Sequence, residues 1–142
     1  MTDDPRPCPL CASDAGMVLY RDARLRIVLA DEPDWPGFCR VIWSAHVVEL
    51  TDLDRGVREH VLRAVCATES ALRTLLAPDK INLASLGNLV PHLHWHVVPR
   101  WRDDSHFPNP IWGVARRGGR RREFDADTLA SLRTRIDSAL GR

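Results

Sequence analysis

Apolar and polar positions change rhythm several times along the chain. Met17–Tyr20 and Leu25–Ala30 are short runs containing β-branched residues, separated by the polar Arg21-Asp22, and read as a strand pair or hairpin. The stretch 31–37 holds two prolines, a glycine and three acids, which predicts a loop. Phe38–Trp43 is a third strand. From Leu53 the period lengthens: Leu53, Val57, Val61, Ala64, Val65, Leu72, Leu75 and Leu76 keep helical spacing, while Arg58, Glu59, Arg63 and Glu69 face outward. Thr51 or Asp52 is placed to cap this helix, and Pro78 to end it.

Lys80–Leu86 returns to strand character, and Gly87-Asn88 reads as the turn into a fifth strand. In that strand, His92, His94 and His96 alternate with Leu93, Trp95 and Val97, so the histidines share one face and the apolar residues the other. Trp101–Trp112, rich in Pro, Asp and aromatics, is a loop with specific contacts, and Arg116–Arg122 a solvated basic loop. Asp125 or Asp127 caps a last helix through Leu140, with Leu129, Leu132, Ile136 and Leu140 on one side. Strands joined by short turns around one long helix predict an α+β fold: an antiparallel meander with the long helix packed on it and a C-terminal helix.

Composition narrows the function classes. A chain of 142 residues forms one domain with its own core, here 1–142, with an N-terminal knuckle at 1–16 and a basic loop and helix at 113–142. A net charge of +1 gives no whole-molecule reason to bind nucleic acid or a membrane surface. No apolar run approaches the roughly 20 residues of a membrane span. Met1 to Pro9 is acidic and Pro-rich without a signal-type apolar segment, so a cytoplasmic location is expected.

The histidine row admits two chemistries. All three side chains could bind one metal, but a third ligand on a straight strand sits about 7 Å from the second, an awkward geometry. Alternatively one imidazole is a nucleophile toward phosphorus, forming a phosphoramidate that water later cleaves, with its neighbours tuning it. A separate metal signal comes from Cys8-Pro9-Leu10-Cys11, which has knuckle spacing but no second cysteine pair. Cys39 and Cys66 lie in apolar contexts, so the two further ligands of a closed site should be histidines. His46, at a strand exit, and His92 are best placed, ahead of His60 on the helix and His106 in the late loop.

His92-Leu93-His94-Trp95-His96-Val97-Val98 resembles the His-φ-His-φ-His-φ-φ signature of the histidine triad (HIT) family of nucleotide hydrolases and transferases. The resemblance extends to Asn82, Gly87-Asn88, Val90 and Pro99-Arg100. It includes Trp43-Ser44-Ala45-His46, similar to a Pro-x-x-His element, and the Cys-x-x-Cys of the zinc-containing bacterial branch. It implies that His94 attacks an α-phosphate to give a nucleotidyl-histidine, and that His96 contacts phosphate oxygens and the leaving group. Asn88 would donate near the scissile bridge, Asn82 position phosphate, and Asp31 hold the ribose hydroxyls. Cys8, Cys11, His46 and His92 would bind a structural zinc.

The implied partners are a purine nucleotide or conjugate (an adenosine phosphoramidate, acyl-adenylate or dinucleoside polyphosphate) and a second copy in a homodimer. Many members carry a histidine where this chain has Phe38, and a Gln or Ser where it has Asn88. Two rivals stay open: a metal-dependent hydrolase using the histidine row as ligands and, given those departures, a nucleotide-binding protein with vestigial catalysis.

Overall fold

The computed structural model describes residues 7–141. A five-stranded antiparallel sheet of order β1-β2-β3-β5-β4 carries the helices. The strands are β1 (Met17–Arg21), β2 (Leu25–Leu29), β3 (Cys39–Trp43), β4 (Lys80–Ala84) and β5 (His94–Arg100); the helices are α1 (Pro9–Ala12), α2 (Arg55–Leu76) and α3 (Ala126–Ala139). The antiparallel α+β sheet is the one expected from the pattern; β1 to β3 run as a meander, and β5 lies between β3 and β4. No helix among the described residues is long and apolar enough to cross a membrane.

The two faces of the sheet are used differently. On one, Leu25, Ile27, Val41, Trp43, Ile81 and Val97 pack against Val61, Ala64, Val65, Ala71 and Leu72 of α2 and Leu132 and Ile136 of α3. Burying each large aliphatic side chain contributes about 1.5–3 kcal/mol, so this core secures the sheet. The opposite face holds smaller clusters at its two ends. Leu10 packs on Val28 and Ile42 at one end; Ala30, Trp35 and Phe38 pack with Val98 and Ile111 at the other. Gly37 makes the second cluster possible. Its φ of 86° lies in the left-handed region that favours glycine, and a Cβ there would also press on Leu76 Cδ1 at 2.6 Å.

Some boundaries differ from the pattern. α2 begins at Arg55, not after Thr51 or Asp52. Asp52 instead belongs to a 3-10 turn, Leu50–Asp52, where its carboxylate accepts from the Val48 and Glu49 amides. Ala77, in the left-handed region at φ 45°, ends the helix before Pro78 acts. β4 stops at Ala84, and residues 85–93 form a loop rather than a two-residue turn. His92 therefore lies outside the strand: β5 begins at His94.

Candidate functional site: two histidines between a cysteine knuckle and a folded-back tail

Cys8, Cys11, His46 and His92 converge, with one ligand atom from each lying within 4.8 Å of the others. His92 Nδ1 is 3.4 Å from Cys8 Sγ, 3.5 Å from Cys11 Sγ and 3.2 Å from His46 Nδ1. The other His92 nitrogen, Nε2, donates to the Trp43 carbonyl at 2.6 Å, which leaves the Nδ1 lone pair turned toward the thiols. Burial also pushes His92 toward its neutral form, the form that binds a metal. At Cys11, burial, the hydrogen bond to Cys8 and the charge of Cys8 raise the thiol pKa, while Arg26 opposes them. Two cysteine sulfurs and two imidazole nitrogens match the donor set of a tetrahedral structural zinc, whose charge would favour deprotonated sulfurs.

Arg26 supports this knuckle from below, a role the pattern did not reveal. Buried in β2, its guanidinium donates to the carbonyls of Leu10, Ser13 and Asp14, tying the cysteine turn to the sheet. An arginine in the middle of an otherwise apolar strand was the available signal.

His94 and His96 lie on the same face, next along β5. His94 Nδ1 is 2.5 Å from the His92 carbonyl oxygen, so Nδ1 carries the proton and Nε2 the lone pair. The rings of His94 and His96 meet edge to face, 4.9 Å between centroids. Burial lowers the pKa of His94, and the positive charge of Arg40 adds to this. His96 is brought down to about 4 by burial, then by His94 and Arg40. Both imidazoles are thus neutral at pH 7, the state a nucleophile requires.

The surroundings of His96 are aromatic. Phe38 stacks on it at 5.7 Å and 12°, and Trp112 meets its edge at 4.9 Å. Its Nδ1 is buried without a hydrogen-bond partner among the described residues. Position 38 supplies an apolar face where a histidine could have supplied a partner.

The Cys/His cluster brings together Cys8, Cys11, His46 and His92 and does not include His94 or His96. Asn88 is exposed in the 85–93 loop, and Asp31 is exposed beyond β2; neither hydrogen-bonds to a triad histidine among the described residues. Asn82 lies on the histidine face, opposite Val98, but its side-chain oxygen accepts from Arg100 at 2.7 Å. Arg100, 1% exposed, also donates twice to Asp104 and once to the Asn109 carbonyl, fixing the tail that carries Trp112. His60 bonds Asp22 at 2.7 Å, and His106 packs edge-on against Trp35; both are structural contacts.

This geometry has a counterpart among known proteins: the HIT domain matches residues 13–103. The chain belongs to the HIT family. The fold of this HIT protein is similar to that of a histidine triad protein from Bradyrhizobium japonicum, with a TM-score of 0.73 at 26% identity, covering 87% of this chain and 92% of that one. It is also similar to a zinc-bound histidine triad family protein from Mycobacterium smegmatis, with a TM-score of 0.57 at 25% identity over 92% and 91% of the two chains. Among curated relatives, AP-4-A phosphorylase of Mycobacterium tuberculosis is 29% identical over 111 residues, 74% of this chain and 57% of that protein. The HIT chain thus spans little more than half the length of that relative.

Proposed function

We propose that this HIT protein hydrolyses or transfers nucleotides at the α-phosphate, with His94 as the nucleophile. The observation that carries this reading is the tautomer of His94. Its Nδ1–H is committed to the His92 carbonyl, so the Nε2 lone pair is the one free to attack. A P–N bond forms as the bond to the leaving group breaks, and the departing group takes up a proton. Water then attacks the phosphorus and gives up a proton to solvent, a P–O bond forms, and the P–N bond returns its electron pair to Nε2, so the proton taken by the leaving group is balanced. His96 contacts phosphoryl oxygens and the leaving-group side, Asn88 and the free amide of Asn82 add donors, and Asp31 holds the ribose. Adenosine phosphoramidates, acyl-adenylates and dinucleoside polyphosphates form the substrate class, the last supported by the likeness to AP-4-A phosphorylase.

Cys8, Cys11, His46 and His92 hold a structural zinc, which cross-links the N-terminal turn to the segment leading into β5. Its chemistry is that of a closed four-ligand site, apart from the phosphoryl transfer. The reading includes a homodimer and a cytoplasmic location, the first checked by light scattering.

The decisive experiment is mass spectrometry after brief incubation with a panel of adenylated and guanylated compounds. A nucleotidyl mass on His94, absent from His94→Ala, is expected. Turnover retained by His94→Ala would overturn the mechanism. The unpartnered His96 Nδ1 favours a second reading, nucleotide binding with little turnover. Tight binding with no adduct would select it.

A further inference from the structure

Arg40 shares a cross-strand row with His96. Val28, Arg40, His96 and Ala84 are register partners across β2, β3, β5 and β4, and partners opposite one another share a face of the sheet. His94 lies one row along, paired with Ile42. The Arg40 guanidinium carbon lies 4.9 Å from the centroid of Phe38, the ring that stacks on His96.

On the sheet and the tail that packs on its histidine face, the other buried or part-buried arginines are spent on protein partners, while the part-buried Arg58 belongs to α2 on the opposite, core face. Arg26 serves three carbonyls, Arg100 serves Asp104, Asn82 and Asn109, and Arg122 serves Asp103. Arg40, half-buried, has no hydrogen bond or ion pair to any described residue. Glu32 favours its charge from a distance without pairing with it. A guanidinium presents five donors in a rigid fork suited to phosphate oxygens, and holding it half-desolvated and unpaired is costly unless an anion joins it. An anion bound by Arg40 would lie on the histidine face, in the cross-strand row of His96 and about 7 Å along the strand direction from the His94 row.

We propose that Arg40 is the phosphate-binding cation of this site, its guanidinium taking a non-bridging oxygen of the nucleotide's α-phosphate next to His96. This rests on the reading of His94 as the nucleophile. A fixed cation at that point stabilises the negative charge on the equatorial oxygens during transfer, at a position the triad signature does not include.

The test compares wild type, Arg40→Gln and Arg40→Lys by calorimetric binding of AMP and GMP alongside adenosine and guanosine. Melting temperatures and the rate of nucleotidyl adduct formation on the full chain accompany it. Arg40→Gln should weaken binding of the preferred monophosphate about ten- to hundredfold while leaving its nucleoside unchanged, and should slow the adduct by a similar factor. Arg40→Lys, which keeps charge but loses the fork, should fall between.

Equal monophosphate affinity in wild type and Arg40→Gln would overturn the proposal. So would no monophosphate binding by wild type, or an equal loss for nucleoside and nucleotide, which would mark Arg40 as packing for Phe38. Absence of any adduct in wild type would instead remove the His94 mechanism, and the monophosphate-to-nucleoside comparison would still decide Arg40.

Discussion

His94 hangs from the backbone of His92: its Nδ1 lies 2.5 Å from that residue's carbonyl oxygen. The side chain of His92 faces the cysteines while its carbonyl fixes the tautomer of the next triad member. The metal cluster and the candidate nucleophile are therefore coupled through a single residue, and they can be tested apart.

Replacing His94 by Ala should abolish turnover, a loss of at least about a thousandfold, because the attacking lone pair is gone. Melting temperature and zinc content should match wild type, since no metal ligand and no core residue is altered. Parallel kinetics, thermal melts and elemental analysis check this.

One equivalent of zinc is expected in the purified protein. The double substitution Cys8→Ser/Cys11→Ser should lose it and lower the melting temperature, because the bond energy of a closed site is folding energy. Arg26→Gln should weaken zinc about ten- to hundredfold by releasing the three carbonyls that hold the turn, with all four ligands intact. Competition with a chromogenic chelator reads both effects.

Acid should destabilise the protein in two windows. His96 has a folded-state pKa of about 4 against 6.5 in a free chain, so the unfolded state binds the proton first. Its contribution is fully present above pH 6.5 and is lost as pH falls toward 4. Asp104, despite the opposing effect of burial, is held at about 2 against 3.8 by its bonds to Arg100 and to the backbone amides of His106, Phe107 and Trp101. That contribution is present above pH 3.8 and lost as pH falls through 2. Imidazole NMR titration with melting curves from pH 7 to pH 2 should resolve both, and an ordinary titration of His96 near 6.5 would contradict the first.

Asp104→Ala should cost about 3–5 kcal/mol, because it strands a guanidinium that is only 1% exposed. The tail bearing Trp112 would lose its anchor at the same time. Chemical denaturation measures the first effect, and Trp112 fluorescence in an otherwise unchanged background follows the second.

The antiparallel α+β sheet, both long helices and the grouping of Cys8, Cys11, His46 and His92 were legible in the sequence. Strand alternation and helical spacing are local, and three neighbours on one strand make an awkward ligand set for one closed site. What the pattern missed depends on distant partners. The position of Arg26 in an apolar strand does not say that it will grip carbonyls from residues 10–14. Arg40 is another mid-strand charge of this kind, and its meaning needed the register with His96. His92 left the strand because Leu93 bonds back to Val47 and Trp43, a pairing across nearly fifty residues. The covering of His96 by Trp112 followed from the Arg100–Asp104 anchor, which aligns nothing in sequence but fixes the path of the tail.

That anchor separates two jobs along the chain. Arg100 and Asp104 pin the root of the tail, and Arg117 reaches back to the carbonyls of Asp104 and Phe107 to fasten its far end. Between these clasps, residues 108–114 lie mostly at the surface and bring Trp112 over the histidines. A span tied at both ends can be rewritten in its middle while the sheet beneath keeps its chemistry. Under the proposed function, exchanging this span is the natural graft for altering which ligand reaches the histidines without touching β5.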